Sequence, residues 1–465
     1  MTTFADLGLP RPIVSVLSKQ GIISPFPIQE AAIPDALAGK DILGRGPTGS
    51  GKTFTFGLPI IARLAGSGAS KPARPRALIL APTRELAIQI QERLDEPANA
   101  MGMRVLAVVG GVNINHHIRQ LARPVDILVA TPGRAQDLVN QKKLSLSDVR
   151  LTALDEADQM ADMGFLPQVN KLLDLTPRDA QRLLFSATLD GDVNKLVDRF
   201  MHDPVTHSTA PVQAAVDTMK HYLFYVGERE DRNKVVIRIG ARDGKTIMFM
   251  RTKHGVDRQA KKLRRAGISA MGLHGDKGQN TRSTTLQGFA DGSVSVLVAT
   301  DIAARGIDVH DVSLVVHVDP PAEHKAYLHR AGRTARAGES GTVVTLVMNE
   351  QRDEVAKLID KAGVDAQTID ISTDASPAHN RTLAQITGAQ SATGIPVPEP
   401  GAQPAKKQAA PKKQAAPKKQ SARMQTGKNQ ASTRGSSSRG GQKRGRGAST
   451  SNKPSRSTNS RRRSR

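Results

Sequence analysis

The chain has 465 residues, 38% of them hydrophobic and only 3% aromatic, with no Trp and no Cys, so its cores rest on Leu, Ile, Val and Ala. Zero cysteines exclude a disulfide framework, a thiolate metal site and a Cys nucleophile. The formal charge is +24, but residues 401–465 carry 19 Lys and Arg and no acidic residue, which leaves only +5 for the first 400.

Taken in chain order, the N-terminal MTTFADLGLP lacks a charged region followed by an apolar stretch. No run approaches the roughly 18–20 apolar residues of a membrane span. A cytoplasmic protein without a membrane partner is therefore expected. Short apolar runs then alternate with helical patterns. Ala77–Ala81, Ile127–Ala130 and Leu183–Phe185 read as buried strands, as do Ile247–Met250, Val294–Ala299 and Leu314–Val318. Helices are expected over Arg84–Asp95, Asp190–Phe200 and Val256–Ala266, the last stopped by Gly267. Near-continuous apolar strands separated by helices indicate parallel sheets covered on both faces.

The rhythm breaks at Ser208–Thr218, so one α/β domain is placed over 1–210 and a second over 219–371. From Ser372 the pattern fades into a linker rich in Pro and Gly. The hexapeptide AAPKKQ then occurs at Ala409–Gln414 and again at Ala415–Gln420, followed by Ser, Arg and Gly with Arg-Gly pairs at 434, 439, 444 and 446. The segment cannot bury enough apolar surface to offset its ordering entropy and is expected to be disordered. Its charge suits a nucleic-acid tether, and a purely solubilising tail is the plainer alternative.

The strongest local signal is Gly46-Pro-Thr-Gly-Ser-Gly51-Lys52-Thr53, a G-x-x-x-x-G-K-[ST] loop between an apolar run and a helix. Gly49, Ser50 and Gly51 would form a nest of backbone N–H groups around phosphate oxygens. Lys52 would neutralise the β- and γ-phosphates, and the Thr53 hydroxyl would hold Mg2+. The second half of such a site is a strand ending in acids, and Leu151–Leu154 runs into Asp155-Glu156-Ala157-Asp158. Asp155 at the strand tip can hold Mg2+, while Glu156 can orient or deprotonate the attacking water.

With these residues in view, the chain resembles the DEAD-box RNA helicases of helicase superfamily 2, in their bacterial form, over roughly residues 4–365. The ordered motifs carry the resemblance. Phe4 and Gly21-Ile-Ile-Ser-Pro25-Phe-Pro-Ile-Gln29 look like the Q motif, with Phe26 where the family usually has a small hydroxyl residue. Pro82-Thr-Arg84-Glu-Leu-Ala87, Gly110-Gly111, Thr131-Pro-Gly133-Arg134 and Ser186-Ala-Thr188 follow in the first domain. Phe249-Met-Arg-Thr-Lys253, His274-Gly-Asp276 with Gln279 and Arg282, Ala299-Thr-Asp-Ile-Ala-Ala-Arg305-Gly-Ile-Asp308 and His329-Arg330-Ala-Gly332-Arg333-Thr-Ala-Arg336 follow in the second.

The resemblance implies two tandem RecA-like lobes and an RNA-dependent ATPase that remodels RNA. Phe4, Gln29 and Asp308 would bind the nucleotide, the Gln29 amide pairing with the adenine edge. Arg333 and Arg336 would act as arginine fingers on the γ-phosphate. Pro82, Arg84, Gly111, Thr131, Gly133, Arg134, Thr300 and Arg305 would line the RNA path, and Ser186, Thr188 and His329 would couple the two sites. ATP and Mg2+ are the implied cofactors and RNA the implied partner, gripped by its backbone without base readout. A monomer is the default expectation; no protein partner is legible. A DNA-directed motor of the same superfamily and an ATP-gated RNA-annealing or clamping protein are the competing readings.

Overall fold

A computed structural model describes residues 2–46, 50–189, 191–208, 219–304, 309, 311–335, 341–372 and 377–399. Fourteen strands are found among the described residues. The first seven are β1 (Ile42–Arg45), β2 (Ala77–Leu80), β3 (Val105–Val108), β4 (Ile127–Ala130), β5 (Leu151–Leu154), β6 (Gln181–Ser186) and β7 (Val205–Ser208). The second seven are β8 (Met219–Gly227), β9 (Lys245–Phe249), β10 (Ala270–Leu273), β11 (Val296–Ala299), β12 (Val312–His317), β13 (Gly341–Met348) and β14 (Ala366–Asp370).

They form two seven-stranded sheets, ordered β3-β4-β2-β5-β6-β1-β7 and β10-β11-β9-β12-β13-β8-β14. Renumbering the second set from one gives the same order as the first, so the chain folds one topology twice. Every pairing in both ladders is parallel. The tandem parallel α/β arrangement expected above is what the chain adopts.

The composition of the strands explains this. Central strands such as β2 (ALIL), β4 (ILVA), β5 (LTAL) and β11 (VLVA) are buried at every position. Only a sheet covered by helices on both faces can bury such runs. At the edge, β7 and β14 alternate or are mostly open, as one-sided strands do. Each lobe accordingly has one apolar cluster on each face of its sheet.

Helix starts follow the same logic in both lobes. After β2, the Thr83 hydroxyl caps helix Arg84–Ala100 by accepting from the Leu86 N–H at 3.3 Å. After the equivalent strand β9, Thr252 caps helix Lys253–Arg265 through the Gly255 N–H at 3.1 Å. A hydroxyl at this position satisfies one of the orphan donors of a first turn. Arg84–Ala100 outruns its expected end at Asp95, because Pro97 is buried inside the last turns and the helix continues around it.

One segment departs from expectation. The pattern fades after Ser372, yet Pro377–Thr387 is a helix and the chain to 399 lies along the second lobe. Leu383 is 2% exposed and joins the cluster on one face of that lobe's sheet. Arg242 Nε donates to the Thr387 carbonyl at 2.7 Å, and Gly394 and Val397 donate to the carbonyls of Ala266 and Arg264. Only one or two apolar side chains per turn are needed for this docking, too few for a readable period. Residues 401–465 lie outside the described residues.

Candidate functional site

All the motif loops of the first lobe leave the carboxyl ends of its strands, where open parallel sheets bind ligands. The strand order sorts them. Loops after β3, β4 and β2 carry Gly110-Gly111, Thr131–Arg134 and Pro82–Arg84, the set expected on the RNA side. Loops after β5, β6 and β1 carry Asp155–Asp158, Ser186–Thr188 and the phosphate loop. The two functions thus occupy opposite halves of one sheet edge.

On the nucleotide half, β1 runs into Gly46, whose N–H donates to the Ser186 carbonyl at 3.2 Å. Gly51 has φ +87°, and a Cβ there would lie 2.6 Å from Gln29 Nε2 and 2.8 Å from Phe26 Cδ2. Only glycine fits both the conformation and the space. Gln29, 1% exposed, ties the loop to its own helix: Nε2 donates to the Gly51 carbonyl at 2.9 Å and Oε1 accepts from the Phe26 N–H at 2.8 Å. By inventory one N–H and one lone pair of that amide remain for a nucleobase edge. Lys52 is buried at the helix start, with Nζ donating to the Gly46 carbonyl at 3.0 Å.

Helix Lys52–Leu64, which Thr53 continues, has no side-chain cap among the described residues. A helix end with uncapped N–H groups, a left-handed glycine and a buried lysine fits a polyphosphate. Ser50 is half-buried beside it, and Gly49 lies outside the described residues. Phe4 is not at this surface. It is 1% exposed inside the first lobe's core, where its ring packs rather than meets a ligand.

The acidic half is built on β5. Asp155 is 3% exposed, and burial pushes its carboxyl up to about 6, with Lys52 opposing that rise and Glu156 adding to it. Its Oδ1 accepts from the Glu156 N–H at 3.0 Å. Glu156 itself sits in the left-handed region (φ 51°, ψ 54°), a conformation that costs a non-glycine residue about 1–3 kcal/mol. Among the described residues no three His, Asp or Glu side chains converge to hold a metal. That suits Mg2+, which usually takes one or two protein oxygens and completes its shell with phosphate and water. Thr53 and Asp155 have the oxygens for that share.

Asp158 is the residue that sequence reasoning undervalued. Its Oδ2 accepts from the Thr188 N–H at 2.9 Å and the Thr188 hydroxyl at 3.0 Å, and lies 3.7 Å from His329 Nε2 of the second lobe. Its N–H donates to the Ser186 hydroxyl, which in turn donates to the Thr188 carbonyl at 2.6 Å. Burial opposes its ionisation, but the His329 contact, the Lys52 charge and the Thr188 N–H outweigh that and hold the carboxyl well below the usual range. Ser186, Thr188 and His329, expected as coupling residues, therefore meet on one carboxylate. A buried acid three residues past Asp155 was the only signal available.

On the RNA half the residues interlock. A Cβ on Gly111 (φ +75°) would lie 1.9 Å from Arg84 Nη1, so the guanidinium rests directly on the glycine doublet. Thr131 Oγ1 accepts from the Gly110 N–H at 3.3 Å. Arg134 is buried, donating to His117 Nδ1 at 2.7 Å and to the Val112 carbonyl at 2.8 Å. His117 must accept here and so is neutral; burial and then Arg134 push its pKa down to about 4. Gly133 is exposed with open space around it, whereas Pro82 is buried.

The second lobe repeats the plan. Thr300 follows β11 and receives the Ala303 and Ala304 N–H groups on its carbonyl. Arg333 is 4% exposed, its Nε donating to the His329 carbonyl at 3.3 Å. Arg330 forms a fork on Asp301 (2.5 and 2.8 Å), donates to the Asp319 carbonyl and lies 5.0 Å above the Phe249 ring. Arg305, Asp308 and Arg336 lie outside the described residues. The lobes also touch on the RNA half, where Arg282 pairs with Glu85 at 2.5 Å and Arg84 donates to Gln279 at 3.1 Å.

Comparison with known proteins follows this geometry. Residues 26–196 match the model of the DEAD/DEAH box helicases, and residues 231–338 that of the helicase conserved C-terminal domain. The chain is 40% identical over 348 residues to "ATP-dependent RNA helicase CshA" of Listeria monocytogenes, covering 75% of this chain and 66% of that protein. It is 38% identical over 348 residues to "DEAD-box ATP-dependent RNA helicase CshA" of Geobacillus kaustophilus, covering 75% and 74%. Among solved structures, S. cerevisiae Dbp5 bound to RNA and ADP BeF3 superposes with a TM-score of 0.72 at 27% identity, covering 83% of this chain and all of that one.

Proposed function

Because the chain belongs to the DEAD/DEAH box helicase family, we propose that it is an ATP-dependent RNA helicase, coupling ATP binding and hydrolysis to local unwinding or remodelling of RNA. The observation that carries this reading is the Asp158 network, in which one carboxylate joins the acidic strand end, Thr188 and His329 of the other lobe. A nucleotide site wired in this way to a second lobe suits a switch rather than a store.

In this reading residues 1–210 and 219–371 are the two RecA-like lobes. Gln29, Gly49, Ser50, Gly51, Lys52 and Thr53 bind ATP from the first lobe, and Asp308, Arg333 and Arg336 complete the site from the second. Thr53 and Asp155 would hold Mg2+, which when bound neutralises phosphate oxygens. Glu156 orients the attacking water and takes its proton, and the arginines stabilise charge on the transferring phosphoryl group. Because binding residues lie on both lobes, the nucleotide favours the conformation in which the lobes meet.

Arg84, Gly111, Thr131, Gly133, Thr300 and Arg305 would hold RNA phosphates, with Arg134 fixing their loop from beneath. RNA spanning both lobes favours the same conformation, so the two affinities rise together. Among the described residues no helix is long and apolar enough to cross a membrane. We place the protein in the cytoplasm as a monomer, with residues 401–465 as an RNA tether.

The test is ATP hydrolysis with no nucleic acid, single-stranded RNA or matched single-stranded DNA, beside a Glu156→Gln control. Stimulation by RNA that the control lacks is expected. Equal stimulation by DNA would move the reading to a general nucleic-acid motor, and hydrolysis indifferent to both would end it.

A further inference from the structure

The family resemblance offers Phe4 as the aromatic partner of the nucleobase, and Phe4 is sealed in the core at 1% exposure. Another aromatic occupies the rim of the phosphate loop. Phe26 is 44% exposed, one of five exposed large hydrophobics among the described residues, and Ile23, three residues earlier, is a second at 65%. Single exposed apolar residues need no explanation. Two within four residues, bordering a nucleotide loop, form a patch.

The position of Phe26 is held from several sides. Its N–H donates to Gln29 Oε1, and its carbonyl accepts from the N–H groups of Gln29 and Glu30 at 2.8 and 3.0 Å. Its ring abuts Gly51 so closely that a Cβ at 51 would lie 2.8 Å from Cδ2. A nucleotide with its phosphates in the loop carries its base out past this rim, where the Gln29 amide and the exposed ring of Phe26 stand side by side. A small hydroxyl residue at 26 has no face to offer, so the feature belongs to this chain. The Gln29 amide already makes two protein contacts, which leaves aromatic surface as the larger resource for holding a base.

We propose that Phe26 is a nucleobase-binding residue, supplying an aromatic platform for the base of ATP beside Gln29. The inference rests on the ATPase reading above. Stacking of a base on an aromatic ring is tolerant of base identity and changes affinity by about tenfold when removed.

The chain contains no Trp, so Phe26→Trp introduces its only indole. Binding to that variant is followed by fluorescence with ATP, ADP and the base-free probe tripolyphosphate. Quenching by both nucleotides and not by tripolyphosphate is expected. In parallel, Phe26→Ala should raise the KM for ATP about tenfold with kcat nearly unchanged, leave tripolyphosphate inhibition as in the unaltered protein, and be rescued by Phe26→Tyr. If Phe26 only packs on the loop, tripolyphosphate would quench like ATP, or Phe26→Ala would weaken ATP and tripolyphosphate equally; either result overturns the proposal. An unchanged KM in a folded Phe26→Ala protein does so too. Loss of RNA-stimulated hydrolysis in the unaltered chain would instead strike the ATPase reading itself.

Discussion

Glu156 sits in a left-handed backbone conformation immediately after a buried strand, its N–H held by Asp155. Such strain persists where surrounding structure over-determines it, and functional sites are where it collects. Replacing Glu156 by Gln keeps the size and the backbone preference but removes the proton acceptor. Glu156→Gln should lower kcat roughly a hundred- to ten-thousand-fold while ATP binding persists, measured by single-turnover hydrolysis beside nucleotide titration. Arg333 acts on the same step from the other lobe. Arg333→Ala should cost roughly 10³–10⁵ in rate, and retained hydrolysis would remove it from the site. Gly111 answers to space rather than chemistry. Gly111→Ala combines a positive φ with a methyl 1.9 Å from the Arg84 guanidinium, so a loss of about 1–3 kcal/mol in stability is expected in denaturant titration.

At the scale of elements, the links between loops matter more than any one loop. Asp158 and Thr188 share two hydrogen bonds on different strand ends, so their substitutions should not be additive. A cycle of Asp158→Asn and Thr188→Ala should return a coupling of about 0.5–3 kcal/mol, and simple additivity would show the contact to be idle. The helix Pro377–Thr387 raises a different question, since its position after the last strand made it read as linker. Leu383 is buried in the second lobe, and Leu383→Ala should destabilise that lobe by about 2–5 kcal/mol. A chain ending at 371 should melt lower than one ending at 400. Equal melting temperatures would show the docked segment to be energetically idle.

For the whole molecule, two buried histidines set an acid limit. His117 accepts a hydrogen bond from Arg134, and His317 is fully buried beside Thr345. Burial first, then neighbouring cations, lowers both pKa values, His117 from 6.5 to about 4. The unfolded chain therefore binds protons more readily than the folded one between those values. The stability these residues contribute is fully present above pH 6.5 and is lost as pH falls toward 4. Equilibrium unfolding at a series of pH values checks this, and His117→Gln should flatten the response. The tail adds a second whole-chain property, its 19 cations being unopposed by any acid. Truncation after residue 400 should shallow the salt dependence of RNA affinity, by about 0.7 in the log–log slope for each phosphate that the tail neutralises.

Fold class and most of the site were already written in the order of the amino acids. Buried strands in both halves stood out because a sheet covered on two faces needs unbroken apolar runs, and β4 was legible to the residue. Glycines, Lys52 and the Asp155-Glu156 pair were legible because phosphate and water chemistry demands those residue types at close spacing along the chain. What remained hidden depends on residues that are far apart in the chain and meet in space. The repeated strand order, which gathers the nucleotide loops on one half of the edge and the RNA loops on the other, is set by which strands pair, and no local pattern encodes it. The burial of Phe4, the exposure of Phe26 and the meeting of Asp158 with His329 arise only when separate elements pack. Short-range chemistry leaves its mark as motifs, whereas burial and partnership are properties of the assembled fold and come into being with it.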